Sequence, residues 1–250
     1  MILIKNDMEI EYMRQAGKVV GDTLAKLQEV IKPGITTADL DKIAEEFIAK
    51  RDAKPSFKGY HGFPASICTS VNSEVVHGIT SKDRVLQEGD IISIDCGAIL
   101  NGYHGDAART FAVGNISKEA EQLINITREG FFKGIEKAIV GNRLTDISHS
   151  IQMYVESFGY SIVRDYVGHG IGRDMHEAPE VPNFGRPGRG PKLTKGMVLA
   201  IEPMVNIGAY QVFVEDNEWT VLTSDNSLSA HYENTVAILE NGPEILTLGQ

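Results

Sequence analysis

Two stretches of this chain, 107 residues apart, carry the same punctuation in the same order, and no other feature constrains its fold as tightly. Gly34 and Gly141 are 141 − 34 = 107 residues apart, and so are Asp39 and Asp146. The same spacing joins Asp95 to Glu202, within Glu88-Gly89-Asp90-Ile91-Ile92-Ser93-Ile94-Asp95 and Lys195-Gly196-Met197-Val198-Leu199-Ala200-Ile201-Glu202, so a carboxylate falls on a carboxylate. His61-Gly62 and His169-Gly170 follow at a spacing of 108. One such match would be coincidence between common residues. Several in matched order imply an internal repeat and a pseudo-twofold α+β arrangement.

Periodicity supplies the same elements to each copy. Ile10, Met13, Val20, Leu24, Leu27 and Ile31 recur at three- and four-residue steps, predicting a helix over 8–31 with Asn6 and Glu9 as a capping box. Pro33-Gly34 ends it. Thr36 then caps a second helix with Leu40, Ile43, Ala44, Phe47 and Ile48 on one face. Strand-like runs follow at 66–69, 91–100 and 110–113. The order then restarts, with helices expected over 119–140 and 146–158 and strands over 197–201, 212–214, 220–222 and 235–239. Residues 1–250 read as one catalytic domain with halves of about 1–114 and 115–250.

Composition narrows the functional classes. Hydrophobic content of 42% and charged content of 23% are ordinary for a globular chain able to bury a substantial core. A net charge of −10 argues against sequence-independent nucleic-acid binding, which needs a basic face. Arg186, Arg189, Lys192 and Lys195 cluster, but they lie among Gly and Pro and read as a solvated loop. No secretory signal is visible at the start, and no apolar run is long enough for a membrane helix. Cys68 and Cys96 make no disulfide framework. A cytoplasmic protein with neither membrane nor nucleic-acid partner is expected.

Four carboxylates and a histidine then stand out against apolar surroundings: Asp95, Asp106, Glu202, Glu233 and His169. Taken singly, each has an ordinary explanation. A strand-end Asp is usually a turn or cap residue, a histidine between glycines a loop residue, and Glu202 before Pro203 an edge residue. Together they pose a charge-burial problem, because an ionised carboxylate is costly to bury without a compensating cation. Asp95 shares a strand face with Ser93, and Asp106 returns beyond the Asn101-Gly102 turn, so a hairpin can bring the two aspartates together. Glu202 and Glu233 come from the second half, and His169 on a Gly-flanked loop. Oxygen donors with one imidazole suit Mn²⁺, Fe²⁺ or Co²⁺, with Zn²⁺ also accommodated, and a paired-metal site is a hydrolytic tool.

The segments Tyr60-His61-Gly62-Phe63-Pro64, Val75-Val76-His77-Gly78-Ile79, Asp95-Cys96-Gly97 and Gly105-Asp106-Ala107-Ala108-Arg109-Thr110 resemble type I methionine aminopeptidases. So do Gly168-His169-Gly170-Ile171-Gly172, Met175-His176-Glu177, Ile201-Glu202-Pro203 and Ser229-Ala230-His231-Tyr232-Glu233. The resemblance runs over essentially the whole chain. It implies a pita-bread fold with antiparallel strands and a two-metal centre at the junction of its halves. The activity it implies is removal of the initiator methionine from nascent proteins when the second residue is small and uncharged.

Carried over to this sequence, the resemblance makes Asp95 a ligand of one metal and Asp106 and Glu233 bridges between both. His169 and Glu202 complete the other sphere. A metal-bridging hydroxide attacks the scissile carbonyl, Glu202 shuttles the proton, His176 hydrogen-bonds the carbonyl oxygen, and His77 binds the scissile amide or the peptide beyond it. Tyr60, Phe63, Cys68 and Trp219 match the methionine pocket, and Met175 stands where the family often carries an aromatic residue. The absence of an amino-terminal extension and of a type II helical insertion is expected to mark a short, bacterial-like, monomeric form acting at nascent N-termini, in transient proximity to the ribosome. Three rivals share features with this reading: an aminopeptidase P or prolidase, a non-catalytic scaffold on the same fold, and metal-assisted hydrolysis of a non-peptide substrate.

Overall fold

A computed structural model of the chain describes residues 1–249. Helices α1 (Asp7–Val30) and α2 (Thr37–Ala49) precede the strands of the first half, and α3 (Lys118–Ile135) and α4 (Leu144–Glu156) precede those of the second. Asn6 accepts from Met8 and Glu9 amides while its own N–H donates to the Glu9 carboxylate, closing the capping box anticipated from the sequence.

The repeat is visible in the hydrogen bonding. Gly34 N donates to Leu86 O at 2.8 Å, and 107 residues later Gly141 N donates to Leu193 O at 3.0 Å. Isolated bridges join Thr36 to Val85 and Arg143 to Lys192 at the same offset. Gly34 and Gly141 lie in the left-handed region, φ 93° and 101°, where glycine alone is unstrained. Asp39 accepts from Thr36 N and Asp146 from Arg143 N, so both aspartates close the first turn of a helix.

Element boundaries depart from the periodicity most clearly in the third and fourth helices and in the first-half hairpin. The third helix stops at Ile135, five residues short of its expected end. Lys137 and Ala138 there donate to carbonyls three residues back, a tightening that buries Ala138 completely. The fourth helix starts at Leu144, with Asp146 already inside its first turn. The expected short strand over 110–113 is the tail of a ten-residue strand, Tyr103–Ala112, paired in register along the whole of Ile91–Leu100.

Each half packs its helix pair on its own sheet. In the first half, Val20, Leu24, Leu27, Leu40 and Ile48 cover Ile67, Ile92, Ile94 and Cys96. In the second, Leu123, Phe131, Ile147 and Ile151 cover Leu199, Ile201, Val236 and Ile238. The five-stranded sheet there runs in the order Gly242–Ile245, Asn234–Leu239, Val198–Ile201, Gly168–Gly170, Glu177–Val181, each adjacent pair antiparallel. A third cluster, containing Ile10, Met13, Phe63, Cys68, Tyr103, Met175 and Val198, fills the space between the halves.

The halves are stitched along one line. Thr110 accepts from His231 N and donates to His231 O, both at 2.9 Å. Glu233 N donates to Ala108 O at 3.0 Å, and Thr235 bonds both backbone groups of Asp106 at 2.9 Å. Strand Tyr103–Ala112 is thus laid antiparallel against residues 231–235, with threonine hydroxyls replacing alternate backbone partners. Asp106 and Glu233 face each other across this seam.

Candidate metal centre and substrate pocket

Asp95 and Asp106 reach one locus through strand register. Asp95 stands opposite Ala108 and Asp106 opposite Gly97, so the two aspartates are diagonal neighbours on one face of the hairpin. Gly97 keeps that face open: a Cβ there would lie 2.8 Å from the Phe57 ring. Ile92, Ile94 and Cys96 point the opposite way into the first-half core. Glu202 follows the last residue of strand Val198–Ile201 and Glu233 precedes the first of Asn234–Leu239, whose Asn234 pairs with Ile201, so both glutamates emerge from one end of the second sheet.

His169 lies on a strand, not on the loop expected from its glycines. Strand Gly168–Gly170 is squeezed between its neighbours, and a Cβ at Gly168 would come within 2.3 Å of Ala200 O, one at Gly170 within 2.3 Å of Ala178 O. The glycines serve close backbone approach. The imidazole Nδ1 donates to Gly170 O at 2.8 Å, which fixes the tautomer and leaves Nε2 as a bare lone pair. That lone pair faces Asp106 Oδ2 at 3.8 Å and Glu202 Oε1 at 3.7 Å.

The electrostatics are severe without a cation. Burial pushes the Asp95 carboxyl up to about 7. Burial, and then the neighbouring Glu233 and Asp95, hold Asp106 well above the usual carboxylate range. Glu233 is raised by burial and by Glu202 and Asp95, and Glu202 by burial and Asp95. Burial depresses His169 and His77 to about 4, both with help from His176. Asp95 Oδ1, Asp106 Oδ1 and Glu233 Oε1 are all buried without a hydrogen-bond partner. Two sets of donors converge here: Asp106, His169 and Glu233, and Asp95, His231 and Glu233, with the donor atoms of each set within 4.8 Å of one another. Orphaned carboxylate oxygens and an imidazole lone pair aimed at one point fit a divalent cation, and Glu233 is common to both sets.

All twelve residues singled out from the sequence line one cavity of about 240 Å³: Tyr60, Phe63, Cys68, His77, Asp95, Asp106, His169, Met175, His176, Glu202, Trp219 and Glu233. One wall is ionisable. The other is apolar, with Phe63 edge-on to Trp219 at 5.1 Å between centroids. Tyr60 OH pairs with His176 Nδ1 at 2.8 Å, and the His176 ring lies 4.1 Å from that of His169. His77 sits edge-on to Tyr166, in a left-handed conformation with φ 60°. The basic cluster Arg186, Arg189, Lys192 and Lys195 is exposed, among Gly and Pro and away from this cavity.

Phe57 and His61 also line the cavity and were not anticipated from the sequence; neither carries a periodicity that distinguishes it from its neighbours. His231 was passed over although a signal was present. It lies two residues before Glu233, on the same face of an extended segment. Arg109 was seen only as part of a motif. It donates to Ala108 O, Glu233 O and Asn234 Oδ1, and its guanidinium covers the Tyr232 ring at 4.3 Å. The backbone on which Glu233 rides is anchored by that half-buried cation.

A carboxylate-rich cage for divalent cations, opening beside an apolar slot at the junction of two like halves, defines a metal-dependent hydrolase. The chain belongs to metallopeptidase family M24, whose model matches residues 11–240, and within it to the methionine aminopeptidases with their pita-bread fold. It is 75% identical to a methionine aminopeptidase of Clostridium acetobutylicum over 99% of both chains. It is 55% identical to methionine aminopeptidase 1 of Bacillus subtilis over 99% of both chains. The crystal structure of methionine aminopeptidase from Rickettsia prowazekii superposes with a TM-score of 0.98 at 43% identity, covering 99% of this chain and 100% of that one.

Proposed function

We propose that this chain removes methionine from the amino termini of newly made proteins whose second residue is small and uncharged, using two divalent ions. The convergence of orphaned carboxylate oxygens and the His169 lone pair in one cavity with apolar side chains carries this reading. The whole chain acts as one catalytic domain, because Asp95 and Asp106 come from the first half and His169, Glu202 and Glu233 from the second. It works as a monomer in the cytoplasm, where nascent chains emerge near the ribosome. No helix among the described residues is long and apolar enough to cross a membrane.

Asp106 and Glu233 would be shared by the two ions, Asp95 would hold one, and His169 and Glu202 would hold the other. Mn²⁺, Fe²⁺, Co²⁺ and Zn²⁺ all suit such a donor set. When bound, the pair supplies Lewis acidity and lowers the pKa of water from 15.7 toward about 7. The protein does the rest. Glu202, at the edge of the cluster, takes the proton from the attacking water and returns it to the departing amide nitrogen. With the Tyr60 hydroxyl donating to Nδ1, neutral His176 keeps its proton on Nε2 and gives that hydrogen bond to the carbonyl oxygen as charge develops. His77 receives the scissile amide or the peptide beyond it. Phe63, Trp219, Tyr60, Cys68 and Met175 enclose the thioether, whose polarisable sulfur favours aromatic edges.

Protein supplied with Co²⁺ or Mn²⁺ is expected to cleave Met-Ala-Ser but neither Ala-Ala-Ser nor Met-Arg-Ser. Equal turnover of the three, or cleavage of X-Pro peptides alone, would refute the assignment. Glu202→Gln is expected to abolish turnover with the fold intact.

A further inference from the structure

We propose that His231 Nε2 is a sixth protein ligand, completing the sphere of the ion on the Asp95 side, so that each half of the centre carries one imidazole. The inference rests on the two-ion reading above and extends it: the ligand set implied by sequence resemblance holds one imidazole, His169, and leaves His231 without a role.

Four observations support it. The His231 ring is almost wholly enclosed, at 1% exposure, and its Nε2 has no hydrogen-bond partner. That nitrogen faces Glu202 Oε2 and Glu233 Oε2, each at 3.8 Å. Such a distance is too long for a hydrogen bond to either carboxylate, and toward Glu233, the glutamate common to both donor sets, it suits two ligands flanking a common cation. The donor atoms of Asp95, His231 and Glu233 lie within 4.8 Å of one another, as do those of Asp106, His169 and Glu233. Glu233 is the shared member, so the two sets are alike in composition: one aspartate, one histidine, one common glutamate.

The backbone holds this ring as deliberately as it holds His169. Thr110 clamps His231 N and O at 2.9 Å each, and Ser93 Oγ lies 2.8 Å from the Thr110 hydroxyl. The clamp runs from the strand that carries Asp106, so the imidazole is registered against the aspartates of the other half. A plain buried histidine would satisfy both ring nitrogens with protein partners. Here one is left pointing between two carboxylates. An imidazole on the Asp95 side also shifts preference toward the later first-row metals, on which nitrogen ligands confer most affinity.

The test uses the full-length protein labelled with ¹⁵N-histidine and loaded with Zn²⁺, followed by long-range ¹H–¹⁵N correlation of the imidazole rings. The expected spectrum shows two rings, His169 and His231, with Nε2 shifts of metal-bound nitrogen. A His231 Nε2 that bears a proton, or that has the shift of a free lone pair, overturns the proposal. Calorimetric titration gives an independent reading. His231→Gln is expected to weaken the second equivalent of Zn²⁺ by at least about tenfold while sparing the first, since even residues that merely support a ligand are worth 10–100-fold. Equal affinity for both equivalents in the variant and the parent refutes it. Two-site binding with a non-coordinating His231 sinks this inference alone; no zinc uptake at all sinks the two-ion reading with it.

Discussion

Thr235 Oγ1 accepts from Asp106 N and donates to Asp106 O, so one hydroxyl satisfies both backbone groups of a buried ligand that belongs to the other half of the chain. Thr235→Val keeps the shape and removes both bonds. Leaving two buried backbone groups unpaired is expected to cost about 1–3 kcal/mol each. Urea unfolding of the variant measures the loss, and a change under about 0.5 kcal/mol would mean that the seam re-forms without the hydroxyl.

The segment before the first helix is tied to the active-site wall by a buried ion pair between Lys5 and Glu177, the residue next to His176, with side chains 5% and 3% exposed. Glu177 also accepts from Arg173 N, bracing the loop that carries Met175 and His176. Lys5→Met strands the carboxylate and is expected to destabilise by about 3–5 kcal/mol. Adding Glu177→Gln to that variant is expected to restore part of the loss. A double-mutant cycle with zero coupling would show the pair to be incidental.

Metal-free protein is expected to lose stability as pH rises from about 6.5 through about 7, and metal-loaded protein to be spared. A carboxyl whose folded pKa is raised binds more protons in the native state than in the unfolded one. The stability it confers is lost as pH climbs through the folded value, about 7 for Asp95, and Asp106, Glu202 and Glu233 are raised in the same direction by burial and by one another's charge. The histidines run the other way. His77 and His169 fall to about 4 and His231 to about 3 from an ordinary 6.5, so their neutral burial costs stability as pH drops below 6.5. The two sets oppose each other between about 4 and 6.5, and above that window the carboxylates act alone. Denaturation midpoints across pH, with and without Mn²⁺, check the sign.

The same raised carboxyls make metal uptake a proton-releasing event. Titration of metal-free protein with Mn²⁺ at pH 7 in two buffers of different ionisation enthalpy is expected to show net proton release. A buffer-independent heat would mean that the cage is already fully ionised.

Much of this molecule was legible before its structure. Helix α1 was read to within a residue at each end, because its capping box and apolar spacing are both local. The second helix was equally plain from Thr36. The hairpin that returns Asp106 beside Asp95 is legible from the Asn101-Gly102 turn, but the full length of its second strand from Tyr103 is not, since Gly105, Asp106, Ala107 and Ala108 show no apolar alternation and owe their conformation to pairing with Ile91–Leu100. His169 was misplaced on a loop for a related reason: Gly168 and Gly170 look like turn residues in one dimension and are strand residues packed against carbonyls in three. Charge burial singles out five groups that converge; His231 shows in the sequence only by its place two residues before Glu233, and the carboxylates it faces are visible only in the fold.

Anomalous diffraction from crystals grown with Mn²⁺ tests the centre most directly. Two peaks are expected, both touching Asp106 and Glu233, one flanked by His169 and Glu202 and the other by Asp95. Peaks elsewhere, or none in this cavity at saturating Mn²⁺, would contradict the two-ion centre on which the chemistry depends.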